Sequence, residues 1–168
     1  KIFTECVRKR LISDRPVCAL LSGGLDSSLV CSIASKLLKE NGQKLYTFSI
    51  GIPGSPDNEY AKKVAEYIDS EHTVVHISQD DAIGALSDVI WATETYDITT
   101  VRASTGQYLI SKYIAENTNF KVVLSGDGSD EVTNGYLENF LAPSNAELHK
   151  NAIDRLMNIH YYDVLRAD

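Results

Sequence analysis

Val17-Cys18-Ala19-Leu20-Leu21-Ser22-Gly23-Gly24-Leu25-Asp26-Ser27-Ser28 carries an unbroken apolar run into a glycine pair and then into a helical pattern. The run Val17 to Leu21 reads as a buried strand, and Leu29-Val30 through Leu37-Leu38 as an amphipathic helix. Gly23 and Gly24 let the backbone pass close to a ligand. The helix start offers N–H groups that have no partner within the helix. A strand, a glycine turn and a helix N-terminus together make an anion site, most often for phosphate. An ordinary glycine- and serine-rich turn is the plain alternative. Asp26 inside the turn, with hydroxyls on both sides, favours phosphate.

The spacing rules out two phosphate chemistries. A Walker-type loop needs a lysine after its last glycine, and none follows here. The dinucleotide pattern needs a third glycine where this chain has Ser27. What remains, Ser22-Gly23-Gly24-Leu25-Asp26-Ser27, resembles the S-G-G-x-D-S loop of the ATP pyrophosphatases, the PP-loop family. The resemblance implies a loop that holds the pyrophosphate released when ATP adenylates a carboxylate or carbonyl.

At 168 residues the chain is one domain by length and can bury a sizeable core. Its 16 basic and 23 acidic residues give a net charge of −7, with no basic stripe, which argues against a nucleic-acid partner held by its phosphates. A polyanion such as ATP would then need a divalent cation between it and the carboxylates. Cys6, Cys18 and Cys31 form no C-x-x-C pair. Cys18 in the strand and Cys31 on the helix read as buried thiols, which fits a reducing, cytoplasmic setting. No apolar run approaches the ~20 residues of a membrane span, and the first residues read as a polar helix, not a signal peptide.

Along the chain, Ile2, Phe3, Cys6, Val7 and Leu11 predict a helix over 1–12, broken by Ser13-Asp14-Arg15-Pro16. The helix after the glycine loop runs to about Glu40 and ends at Asn41-Gly42. Leu45 to Ile50 reads as a second strand, with Asp57 as cap for a helix from Asn58 to Ile68. Thr73 to Ile77 is a third strand, and Ser78 caps a helix reaching about Thr93. A helix from Ala103 to Glu116, a fourth strand from Lys121 to Leu124 and a helix from about Asn145 complete the pattern. Strands alternating with helices predict an α/β fold: a doubly wound parallel sheet of about four or five strands with helices on both faces.

Ser125-Gly126-Asp127-Gly128-Ser129-Asp130-Glu131 leaves the fourth strand much as the first loop leaves the first. Ligands of doubly wound sheets sit at strand carboxyl ends where the winding reverses, so a fourth strand beside the first would bring both turns to one crevice. An EF-hand begun at Asp127 would need glycine where Val132 stands, and a dinucleotide turn would need it at Glu131. A solvated acidic turn is the plain alternative. Beside the first loop, Asp26 and Asp130 make sense as a carboxylate pair for Mg²⁺, which would bridge phosphate oxygens. His72 and His76 lie about 13 Å apart along a strand, too far to share a metal.

Further segments complete a closer resemblance: Gly51-Ile52-Pro53-Gly54-Ser55-Pro56-Asp57, Glu94-Thr95-Tyr96-Asp97, Thr99-Thr100-Val101-Arg102-Ala103-Ser104 and Tyr162-Asp163-Val164-Leu165-Arg166-Ala167. With the two loops, they look like the synthetase domain of the glutamine-dependent asparagine synthetases. Argininosuccinate, NAD and β-lactam synthetases share the first loop but are not expected to share those segments. The resemblance implies that aspartate attacks the α-phosphorus of ATP, giving β-aspartyl-AMP and pyrophosphate, and that ammonia then displaces AMP to give asparagine. Carried over, Ser22, Gly23, Gly24, Asp26 and Ser27 hold pyrophosphate and magnesium, with Asp130 as the second metal carboxylate. Leu20, Ile50, Ser125 and Gly126 line the nucleotide site; for Leu20 and Ile50 core packing is the plain alternative. Arg102 is a cation near phosphate or substrate, with a solvated arginine at a helix start as its alternative.

At position 127 the family pattern has glutamate, thought to handle the proton during ammonia attack, and this chain has Asp127. Aspartate keeps the charge but shortens the reach, and ~1 Å of misplacement can cost ~10²-fold in rate. Residues 1–168 are expected to be part of a longer protein, since the chain starts without methionine and stops inside a helical pattern. The resemblance puts a glutaminase domain before Lys1 and the rest of the synthetase domain after Asp168. It allows a homodimer of the full-length protein, and the glutaminase would supply the ammonia. Another PP-loop adenylating ligase and a non-catalytic ATP-binding module remain as alternatives. Leu156, Ile159, Tyr161 and Tyr162 read as a packing face.

Overall fold

The computed structural model describes residues 1–158 and divides into two compact units, Lys1–Gly126 and Asp127–Asp168. The first unit holds a four-stranded parallel sheet in the order β3-β2-β1-β4. Its strands are β1 (Val17–Leu20), β2 (Tyr46–Gly51), β3 (Glu71–His76) and β4 (Val122–Leu124). Winding runs outward from β1 to β2 and β3, then returns to place β4 on the other side of β1. The register pairs Ala19 with Thr47 on one side and with Leu124 on the other.

Alternation along each strand builds two apolar faces. Ala19, Leu21, Leu45 and Leu124 join Val7 of α1 (Ile2–Arg10), Cys31 and Ala34 of α2 (Leu25–Lys39) and Ala61 and Ala65 of α3 (Pro56–Ile68). Cys18, Phe48 and Val75 point the other way, onto Ile110 and Ile114 of α6 (Ile98–Asn117). The helices α4 (Gln79–Gly84) and α5 (Leu86–Thr93) extend this second layer, with Ala85 and Val89 on Val101 of α6. The sheet is thus doubly wound, as the strand–helix alternation predicts.

Several boundaries differ from the sequence reading, each for a local reason. Two helices replace the one expected up to Thr93, separated by a single turn residue, buried Ala85, after Gly84, a poor helix former. The Ser78 cap is present as a reciprocal box, Asp81 N–H to Ser78 Oγ at 3.1 Å and Ser78 N–H to Asp81 Oδ2 at 2.7 Å. α3 starts with Pro56 behind Ser55, so Asp57 lies in its first turn and is not its cap. α6 begins at Ile98, five residues before the expected Ala103, because Asp97 Oδ2 accepts from Thr100 N–H at 2.6 Å. α2 begins at Leu25, which moves Asp26 from the turn into the first helical turn. In the second unit a short helix α7 (Ser129–Thr133) and a 3₁₀ turn (Leu137–Leu141) occupy what reads as loop. There α8 (Asn145–Met157) starts where expected, capped by Ser144 Oγ on Glu147 N–H at 3.2 Å. Leu156 is half-buried; Ile159, Tyr161, Tyr162 and the segment Tyr162 to Ala167 lie outside the described residues.

Candidate anion-binding site at the switch between β1 and β4

The loop that leaves β1 is held in shape by its own hydrogen bonds. Ser27 Oγ donates to Gly24 C=O at 3.3 Å, and Gly24 N–H donates to Ser22 Oγ at 3.3 Å. With its proton on Gly24, Ser27 Oγ accepts from Ser22, both from the hydroxyl at 2.9 Å and from the N–H at 3.2 Å. The result is a closed ring, Gly24 N–H to Ser22 to Ser27 to Gly24 C=O. Helix α2 springs from it without a side-chain cap, and its first main-chain bond is Ser28 N–H to Gly24 C=O at 3.1 Å. The N–H groups of Leu25, Asp26 and Ser27 therefore precede the first intrahelical bond, at the positive end of a 15-residue helix.

Two glycines let neighbouring backbone reach this ring. Gly23 holds φ +83°, and a Cβ there would lie 2.6 Å from Ala61 N and from Tyr60 Cβ, so the loop rests directly on α3. Gly126 follows β4, and a Cβ there would lie 2.7 Å from Ser27 N and 3.0 Å from Asp26 C. Because β4 pairs with β1, Gly126 lies against the first turn of α2, and Ser125 precedes it at the end of β4. Leu20 and Ile50 are half-buried and pack on the α6-side core, beside the open strand ends. The structure thus brings together Ser22, Gly23, Gly24, Asp26, Ser27 and Gly126. Arg102 stands exposed on α6 with no hydrogen bond or ion pair among the described residues. Asp127 and Asp130 belong to the second unit, where Asp130 lies in the first turn of α7 and its C=O accepts from Gly135 N–H at 3.2 Å.

The residues present suit a phosphate chain: uncapped helix N–H groups, two hydroxyls and a glycine where backbone must come close. They also suit magnesium, which uses one or two carboxylates with water and phosphate oxygens and needs no protein cage. Asp26, half-buried in the first turn of α2, offers one such carboxylate. Among the described residues no group of three or more His, Cys, Asp or Glu side chains is placed to hold a metal alone. His72 is engaged elsewhere, with its ring nitrogens on Thr47 Oγ1 and Ser49 Oγ at 3.0 and 3.2 Å. Burial pushes the Cys18 thiol up to about 11 and Cys31 to about 12, so neither supplies a nucleophile. Two polar residues escape the sequence reading. Ser28 Oγ and Asn58 Nδ2 are buried without a hydrogen-bond partner among the described residues. Only the doubled hydroxyl of Ser27-Ser28 hints at the first, and no local pattern marks the second.

Sequence comparison settles the family. The asparagine synthase family model matches residues 1–167. The chain belongs to the asparagine synthase family. It is 52% identical over 169 residues to the glutamine-hydrolysing asparagine synthetase of Mesocricetus auratus, and 50% identical to that of Homo sapiens. In both cases the match covers 99% of this chain and 30% of the relative's length. Among solved structures, an NH3-dependent NAD synthetase from Campylobacter jejuni aligns with TM-score 0.53 at 21% identity, over 80% of this chain and 58% of that one. An NMN synthetase from Francisella tularensis aligns with TM-score 0.50 at 15% identity, over the same shares, 80% and 58%. These two likenesses show that the asparagine synthase family chain shares its fold with those synthetases. Among the described residues no helix is long and apolar enough to cross a membrane.

Proposed function

We propose that this chain is the nucleotide-binding core of an ATP-dependent ligase that converts aspartate and ammonia to asparagine. The observation that supports this most is the serine ring at the uncapped start of α2, met by Gly126 from the adjacent strand, within an asparagine synthase chain. In this reading a side-chain carboxylate oxygen of aspartate attacks the α-phosphorus of ATP, and the bond to pyrophosphate breaks. The helix N–H groups with Ser22 and Ser27 receive the charge that grows on the departing pyrophosphate. Leu20, Ile50, Ser125 and Gly126 line the nucleoside. Asp26 and Asp130 would be the carboxylates for magnesium, which would neutralise phosphate charge. Ammonia then attacks the acyl carbon, AMP leaves with the bonding pair, and the nitrogen gives up one proton, which Asp127 takes. Arg102 serves as a cation toward phosphate or substrate. Glutamine hydrolysed by another domain supplies the ammonia; cytoplasmic residence and a homodimer of the full-length protein belong to the same reading.

Exchange of labelled pyrophosphate into ATP tests it in the full-length protein with Mg²⁺. Exchange that requires aspartate and disappears in Asp26→Asn supports the reading. Exchange with a different carboxylate points to another adenylating ligase. ATP binding with no exchange leaves a nucleotide-binding module without this chemistry.

A further inference from the structure

Thr47 and Ser49 are the polar positions of β2, 0% and 4% exposed, on the sheet face that otherwise packs the apolar core beneath α3. Buried hydroxyls are costly unless bonded, and here they bracket one imidazole. His72 Nδ1 lies 3.0 Å from Thr47 Oγ1 and Nε2 lies 3.2 Å from Ser49 Oγ. Proton counting fixes the direction. Ser49 Oγ donates its only proton to Asn58 Oδ1 at 3.2 Å, so it must accept from Nε2–H. Ser70 Oγ lies 3.0 Å from Thr47 Oγ1 and 3.5 Å from Ala65 C=O, so its proton goes to the nearer Thr47; neutral His72 then has a bare Nδ1, which accepts from Thr47. The chain runs Ser70 to Thr47 to His72 to Ser49 to Asn58.

Asn58 sits where this chain can matter to the candidate site. It is 5% exposed in the first turn of α3, and its amide covers Gly51, where a Cβ would be 2.8 Å from Nδ2. The next residues, Tyr60 and Ala61, are the ones on which Gly23 rests. We infer that Asn58 and His72 are a positioning pair for the anion loop: His72, as the Nε2–H tautomer, turns Ser49 onto Asn58, and the turn of α3 so anchored supports Gly23. The inference rests on the ATP reading of that loop. An apolar side chain would avoid the unpartnered buried Nδ2, so the amide is not explained by stability alone. The charges facing His72 are Lys62 and Glu66 on α3 and Asp69 beyond its end. Asp69 is already engaged by Lys39 and Lys44 at 3.3 and 3.4 Å, and Glu71 on β3 by Lys44 at 2.9 Å. Burial first, and Lys62 second, keep the imidazole below its ordinary value and so neutral near pH 7.

The test uses ¹⁵N-labelled full-length protein at pH 7.5, with His72 identified by the signals lost in His72→Gln. Wild-type His72 is expected to show a protonated Nε2 and a bare Nδ1. In Asn58→Ala the Ser49 proton has no acceptor on α3 and turns to Nε2, so the tautomer switches to Nδ1–H, with Thr47 and Ser70 turning toward Ala65 C=O. Asn58→Asp keeps an oxygen acceptor and keeps Nε2–H. ATP binding is expected to weaken about fivefold to tenfold in Asn58→Ala and in Ser49→Ala, the size of one lost hydrogen bond. The double variant should lose no more than either single one. An Nδ1–H tautomer in the wild type overturns the inference, as does an Asn58→Ala protein with unchanged tautomer and unchanged ATP affinity. If the wild type binds no ATP, the functional reading falls and the positioning role falls with it.

Discussion

Gly126 has no room for a side chain, and the obstacle is backbone. A Cβ there would meet Ser27 N at 2.7 Å, so Gly126→Ala must push apart the end of β4 and the first turn of α2. Overpacking of this kind costs about 1–3 kcal/mol, read as a lower urea midpoint, and ATP binding should weaken with it. Gly24→Ala is the contrast, because its Cβ would meet only Ser22 Oγ at 3.4 Å; its stability should stay within about 0.5 kcal/mol. Equal losses in the two variants would show that the close approach at Gly126 is not what sets the turn. Asp127 poses a question of reach, since one methylene fewer separates its carboxylate from the backbone than in a glutamate. In the full-length enzyme, Asp127→Glu should raise asparagine formation while leaving aspartate-dependent pyrophosphate exchange nearly unchanged, because the proton is lost only in the second step. Equal asparagine formation by parent and variant would remove Asp127 from that step.

At the scale of elements, β2, β3 and α3 share the His72 chain, and its titration gives their pairing a pH dependence. Burial, then Lys62, hold His72 below the ordinary 6.5, against a smaller opposing contact with Thr47. The unfolded chain therefore binds this proton more readily than the fold does. Stability from this source is complete above about pH 6.5 and drains as pH falls from there toward the lower folded value. Thermal midpoints measured down from pH 7.5 should decline below that point, and less steeply in His72→Gln; parallel curves would mean that His72 titrates as freely in the fold as out of it. The same elements show what a sequence reveals. Apolar runs ending in glycine made β1, β4 and their loops legible, and Ser78 announced a helix start, though not the reciprocal bond from Asp81. The start of α6 was hidden because Ile98-Thr99-Thr100-Val101 is a β-branched stretch with poor helix propensity, and only the Asp97 cap overrides it. Ser55 and Asp57 are both good caps, and Pro56 between them decides for the first. Asn58 and His72 carried no signal, since their meeting through Ser49 is made by the pairing of β2 with β3 and the docking of α3, not by any spacing along the chain.

For the first unit as a whole, the strand order decides which parts can open separately. β1 pairs on both sides, so the α2–α3 face and the α6 face share one central strand and should unfold together. The cysteines report on this directly. Cys18 belongs to the α6-side core and Cys31 to the α2-side core, both 0% exposed, while Cys6 on α1 is exposed. With thiols raised to about 11 and about 12, the two buried groups are ionised in about one molecule in a thousand or fewer at pH 8, and neither is reachable. Their modification therefore waits for the core to open, after which each behaves as an ordinary thiol of pKa ~8.5. A disulfide reagent at pH 8 should take Cys6 promptly and then Cys18 and Cys31 at one common slow rate. Both slow rates should rise with urea along the same slope, since the slope measures the surface exposed in the opening that admits the reagent. A Cys31 rate that ran ahead with a shallower slope would mean that α2 lifts from the sheet on its own. The candidate anion loop would then hang from a helix that opens without β1, and the ring built by Ser22, Gly24 and Ser27 would be lost long before the fold is.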